Sequence, residues 1–99
     1  MQLTNTQRQF LRKMAHDLKP VVQVGKNGLS ENVFTTVDQG LDSHELIKVK
    51  FIDFQDQKRE LAEQIVAASK SELVAVIGNI AILYRQQADP EKRKVRLPR

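Results

Sequence analysis

Two apolar runs near the end of the chain, Leu73-Val74-Ala75-Val76-Ile77 and Ile80-Ala81-Ile82-Leu83-Tyr84, are separated by only Gly78-Asn79. A two-residue loop containing glycine joins antiparallel neighbours, so these runs predict a β-hairpin. Two further runs carry a strand signal upstream. Val21-Val22-Gln23-Val24 is β-branched, and Leu46 to Phe54 alternates Ile47, Val49 and Phe51 with Lys48 and Lys50, which gives one apolar and one basic face. Helical patterns stand before and between them. The predicted order is a helix followed by β-α-β-α-β-β. Strands alternating with helices imply parallel pairs joined by right-handed crossovers, and the hairpin adds an antiparallel strand. Three helices cannot cover both faces of four strands evenly. The expected fold class is therefore α/β, a two-layer sandwich on a four-stranded mixed sheet with part of one face open.

Local signals set the helix limits. Thr4 with Gln7 three residues on reads as a capping box opening a helix over 4–17. Leu3, Phe10, Leu11, Met14 and Leu18 form its apolar stripe, with Arg8, Arg12 and His16 on a neighbouring face. Lys19-Pro20 ends it, because the residue before proline is pushed out of helical geometry. Ser30 is an N-cap for a helix over 31–43, with Leu29 and Phe34 placed as a hydrophobic staple. Asp56 is the expected cap of a third helix, in which Leu61, Ala62, Ile65, Val66 and Ala68 face inward, ending near Ser69.

Composition removes most chemistry. Ninety-nine residues make one domain, and with no cysteine there are no disulfides, thiolate nucleophiles or iron–sulfur sites. Two histidines, His16 and His44, give little scope for a transition metal, and no cofactor is expected. No apolar run approaches a membrane span, and the N-terminus lacks a basic region followed by an apolar stretch, so the reading is cytoplasmic. His44 has Ser43 and Glu45 beside it, but neighbours in sequence point apart and form no triad. Gly25-Lys26-Asn27-Gly28 has too few residues between its glycines for a P-loop and too few glycines for a dinucleotide fingerprint. No catalytic residue and no small-molecule substrate is expected.

The charge is informative. The net charge is +4 and the pI about 9.6. Residues 1–84 hold ten basic and ten acidic side chains, whereas residues 85–99 hold six basic and two acidic. The excess at one end suggests a polyanionic partner. The Gly25–Gly28 loop lies between a strand and a helix start, where amide groups and the helix dipole favour an anion and glycine admits a phosphate backbone. The same four residues also suit a plain tight turn. In the tail, Lys94-Val95-Arg96-Leu97 alternates, so it docks with Val95 and Leu97 inward or else frays. Of five aromatic residues only Phe54 is a candidate for exposure, and no aromatic pair suggests a base-stacking sheet.

Several segments together resemble the bacterial stand-alone CRM-domain proteins. They are Ala15-His16 through Lys19-Pro20-Val21-Val22, Gly25-Lys26-Asn27-Gly28-Leu29, His44-Glu45-Leu46-Ile47-Lys48-Val49-Lys50, Val76-Ile77-Gly78, Leu83-Tyr84-Arg85 and Leu97-Pro98-Arg99. Residues 52–60 depart most from that pattern. The resemblance implies a fold like the C-terminal domain of translation initiation factor 3 with an added N-terminal helix. It divides the chain into a CRM-type domain, 1–85, and a basic tail, 86–99. It also implies non-catalytic RNA binding as a monomer, on large-subunit ribosomal RNA in a pre-ribosomal particle. The expected RNA-contacting residues are Gly25, Lys26, Asn27 and Gly28, with Arg8, Arg12, His16, Lys19, Lys94 and Arg96 flanking. A protein-binding adaptor, using the open sheet face and the tail, is the alternative.

Overall fold

The computed structural model describes residues 2–99. Its elements are α1 (Asn5–Ala15), β1 (Val22–Val24), α2 (Glu31–His44), β2 (Leu46–Phe51), α3 (Lys58–Ser69), β3 (Glu72–Ile77) and β4 (Ile80–Tyr84). This is the order read from the sequence. Thr4 Oγ1 accepts the Gln7 amide at 3.1 Å while Gln7 Oε1 accepts the Thr4 amide at 3.0 Å, a complete capping box. The Ser30 hydroxyl accepts the Val33 amide, and Leu29 and Phe34 both pack on the core beneath α2. Gly78 supplies the positive φ, +58°, that the hairpin turn requires.

The sheet order is β1-β2-β4-β3, with β1 parallel to β2 and β4 antiparallel to both of its neighbours. As the sequence led us to expect, β1 pairs in parallel with β2 and the hairpin adds an antiparallel strand; that strand, β4, is inserted between β2 and β3, which run parallel without pairing. The physical reason is apolar content. Every side chain of β4 is apolar or Tyr84, and Ala81 to Tyr84 are buried, which suits the strand covered on both faces. β3 opens with Glu72 and ends on the exposed Ile77, which suits an edge.

Three local expectations are corrected. The second strand ends at Phe51 rather than Phe54, because Ile52 and Asp53 turn off the sheet and both donate their amides to Val24 O. Asp56 does not cap α3. It lies inside a 3₁₀ turn, Gln55–Gln57, and α3 begins at Lys58 without a side-chain cap. Met14 and Leu18 are not core but each 40% exposed, since α1 stops at Ala15 and buries only Leu11 and Ala15.

One face of the sheet packs Val24, Ile47, Val49, Phe51, Ala81 and Leu83 against α2 and α3. The other packs Leu46, Val74, Ile82 and Tyr84 against Leu3, Leu11 and Ala15 of the α1 region and against Val95 of the tail. Helix α1 and the tail cover only part of that second face. The tail is held by Glu45, which is fully buried at the C-terminus of α2. Its Oε1 accepts the amides of Lys94 and Val95 at 2.6 and 2.8 Å, and its Oε2 accepts that of Gln87 at 2.6 Å. Gln7 Nε2 donates to Pro98 O and ties the far end of the tail to α1.

Tyr84 is fully buried, and its hydroxyl meets no partner in hydrogen-bonding geometry among the described residues. Burial pushes its pKa above the ordinary 10.0 and the Glu45 charge adds to the rise, while Arg93 and the Gln86 side chain pull the other way. A raised phenol pKa means that the folded state favours the neutral form. That contribution is complete below pH 10 and is lost as pH rises through the folded-state value. The melting temperature is expected to fall above about pH 10, and Tyr84→Phe to flatten that fall while changing stability at pH 7 by less than about 1 kcal/mol. Parallel thermal melts of both proteins across pH 8–11 check this, and equal slopes would refute it.

Candidate nucleic-acid interface

The Gly25–Gly28 loop joins β1 to α2 as a closed turn, with the Gly28 amide donating to Gly25 O at 2.9 Å and the Ser30 amide to Gly28 O at 3.0 Å. Lys26 and Asn27 occupy the tip and are exposed. The two glycines differ in their reasons. Gly28 has φ +63°, which the turn demands. Gly25 has no positive φ, and a side-chain carbon there would meet nothing within 4 Å. Neither the turn nor internal packing calls for glycine at 25. Glu31 already places a negative charge in the first turn of α2, so Lys26 and the loop amides, more than the helix dipole, carry the attraction for an anion.

A second group lies on the uncovered part of the sheet. Arg12 of α1, His16 at its C-cap and Lys48 of β2 wall a groove whose floor is Ile77, Ile80 and Ile82. Lys48 Nζ donates to His16 O and Leu18 O, each at 3.0 Å, so it caps the carbonyls where α1 ends. Lys50 follows on the same face two residues along, opposite Gln23 and Ile80. That is toward the end of β1 from which the loop leaves. Basic side chains thus step from Arg12 through Lys48 and Lys50 toward Lys26. Lys48 and Lys50 were legible in the sequence as the polar face of their strand, yet nothing in one strand shows that this face stays uncovered.

The remaining candidates lie elsewhere or are engaged. Arg8 is half-buried, and its Nη1 donates to Leu73 O and Val74 O, holding α1 to the irregular stretch of β3. Lys19 and Lys94 line a different groove, apolar along Met14, Leu18, Val21, Leu46 and Val95. Arg96 is exposed on the tail beside Arg93 and Glu91. Arg85, one of the basic excess at that end, pairs with Asp38 at 2.7 Å and lies 3.6 Å from Asp42. Its charge is spent on pinning β4 to α2. Among the described residues no three His, Cys, Asp or Glu side chains gather as a metal site, and no helix is long and apolar enough to cross a membrane.

Comparison with known proteins agrees in sequence and in shape. Residues 3–85 match the CRS1 / YhbY (CRM) domain. The chain is 42% identical over 98% of its length to a Haemophilus influenzae protein named RNA-binding protein, covering 96% of that chain. It is 39% identical over 97% of its length to Probable RNA-binding protein YqeI of Bacillus subtilis, covering 99% of that one. The solution structure of the hypothetical protein SAV1595 from Staphylococcus aureus superposes with a TM-score of 0.82 at 40% identity, over 98% of this chain and all of that one.

Proposed function

The chain belongs to the CRS1 / YhbY (CRM) domain family, and from that premise we propose that it is a non-catalytic RNA-binding protein that assists assembly of the large ribosomal subunit in the cytoplasm. It acts as a monomer on ribosomal RNA in a pre-ribosomal particle. The RNA backbone seats on the Gly25–Gly28 loop, and Arg12, His16, Lys48 and Lys50 extend the contact along the uncovered sheet face. Lys19, Lys94 and Arg96 add charge at the periphery. The observation that carries this reading is Gly25: no internal contact or φ requires a glycine there, and the space it leaves lies beside an exposed lysine. A phosphate backbone approaching the loop amides needs that space.

If three to five phosphates are neutralised, the slope of log affinity against log salt is roughly −2 to −4.5. Lys26→Ala is expected to weaken binding of structured RNA and to flatten that slope by nearly one unit. It is expected to shift stability by no more than about 0.5 kcal/mol, since the side chain is exposed. A salt titration of both proteins measures this, and an unchanged slope would remove Lys26 from the contact. Crosslinking in cells followed by sequencing of the attached RNA tests the large-subunit assignment.

The groove lined by Met14, Leu18 and Val95, with Lys19 and Lys94 at its rim, favours a second reading, a protein-binding adaptor. Association with a ribosomal protein that is insensitive to salt, together with no affinity for RNA, would support it.

A further inference from the structure

The segment after β2 is the one where the sequence is least informative, and it lies against the loop. Ile52 and Asp53 both donate their amides to Val24 O, at 2.9 and 3.2 Å, so this segment is fastened to the last residue before Gly25. Phe54 follows in the left-handed region, at φ 58° and ψ 35°. A side-chain carbon at position 28 would lie 3.7 Å from Cε2 of its ring, so the ring edge borders Gly28. The ring is nevertheless 43% exposed, Ile52 is 48% exposed, and Phe54 belongs to neither core cluster. A left-handed conformation strains a non-glycine residue, and here no buried ring offsets it. The turn is held in place by other groups. The Gln57 amide donates to Phe54 O, and Gln55 Nε2 lies within 3.4 Å of Phe51 O and Ile52 O.

We propose that Phe54 is a stacking platform for an unpaired nucleobase, set beside the phosphate-binding loop so that one nucleotide is held by its backbone at Gly25–Gly28 and by its base on the ring. The inference rests on the RNA-binding reading and narrows it to RNA that has an unpaired nucleotide at the contact. The occupant follows from what surrounds the ring. A flat apolar face beside an exposed lysine and a loop whose glycine backbone carries no side chain at position 25 matches a planar base attached to a phosphate. One nucleotide brings a planar base and a phosphate to this spot together, whereas an apolar protein side chain matches the ring alone. A fully paired duplex keeps its bases stacked on each other and cannot offer one to the ring without unpairing.

The chain has no tryptophan, so Phe54→Trp places a single indole at the site. The probe is one mixed-sequence RNA, used alone and annealed to its complement. The single strand is expected to quench the indole saturably and the duplex to leave it unchanged. Phe54→Ala is expected to weaken binding of the single strand roughly 5- to 150-fold, since stacking on an aromatic ring is worth about 1–3 kcal/mol per base. Its salt slope is expected to stay at the wild-type value, because stacking releases no counterions. Equal quenching by strand and duplex, or a Phe54→Ala protein that binds the single strand as tightly as wild type while Lys26→Ala still weakens it, would overturn the platform and leave the loop standing. A wild-type protein that binds neither RNA would overturn the RNA-binding reading itself.

Discussion

Glu45→Gln is expected to lower stability by about 2–4 kcal/mol and to release the C-terminal tail from the sheet. The carboxylate is fully buried and spends its two oxygens on three backbone amides, those of Gln87, Lys94 and Val95. A glutamine has one acceptor oxygen. Its NH₂ would face the Gln87 amide, donor against donor, so at least one buried N–H loses its partner. Each such loss costs about 1–3 kcal/mol, toward the upper end where the acceptor was charged. A domain of this size has about 5–15 kcal/mol in all, so the change takes a large share. In a thermal melt it corresponds to a drop of roughly 10–25 °C.

Truncation after Arg85 removes the same contacts together with buried Val95 and half-buried Leu97, and exposes part of the face around Tyr84. It is expected to destabilise at least as much. Circular dichroism melts of the two variants provide the measurement, and a Glu45→Gln protein melting within about 2 °C of wild type would show that the tail clamp contributes little. A truncated protein that stays folded and binds RNA as tightly as wild type, with the same salt slope, would place the tail outside the contact. One that melts below room temperature would make the tail part of the core, whatever its charge does for RNA.

Gly28→Asp is expected to give a folded protein whose affinity for RNA is at least tenfold weaker, about 1.4 kcal/mol. Aspartate is among the residues that tolerate a left-handed backbone best, so φ +63° is no bar to folding. The new Cβ would meet only the Phe54 ring, at an ordinary 3.7 Å. The strain is about 1–2 kcal/mol at most. A carboxylate close to an incoming phosphate opposes it more strongly. Two unit charges about 4 Å apart near a protein surface repel by about 4 kcal/mol before salt screening. Gly28→Asn separates charge from shape, because asparagine has the same size and the same backbone tolerance. Its affinity is expected to fall much less. Binding isotherms for the three proteins at one low salt concentration decide the matter. If the folded aspartate variant binds RNA as wild type does, the loop is a turn and nothing more.

Where a structural decision depends on residues a few positions apart, this chain is transparent. The Thr4–Gln7 capping box, the Ser30 cap and the Gly78-Asn79 turn each act within about four residues, and all appear where their chemistry calls for them. The alternation of Ile47, Val49 and Phe51 with Lys48 and Lys50 likewise sets the two faces of β2. Signals of intermediate quality fail at element ends. Asp56 has the composition of a cap, but Ile52 and Asp53 bond to Val24, and the chain enters α3 through a 3₁₀ turn instead.

The candidate interface is legible to a lesser degree. The loop stands out because glycine spacing is local, whereas the role of each cation depends on what faces it. Arg8 and Arg12 sit one turn apart on the same helix. Arg8 meets the carbonyls of Leu73 and Val74, sixty-five and sixty-six positions away, and Arg12 meets the uncovered groove. No pattern within the helix separates them. Phe54 presents the same difficulty, since its exposure and its place beside Gly28 depend on two loops brought together by the parallel pairing of β1 with β2.

By itself, then, the amino-acid sequence determines the kind and order of the elements, because hydrogen-bond caps, turn dihedrals and side-chain periodicity act over one or two turns of chain. Only the tertiary structure decided that β4 enters between β2 and β3, that Glu45 clamps a tail fifty residues away, and that Lys48 and Lys50 lie half-buried on the partly covered sheet face. Those outcomes depend on which apolar faces find each other across the whole chain. Burial is a property of the assembled surfaces, and no single segment carries it.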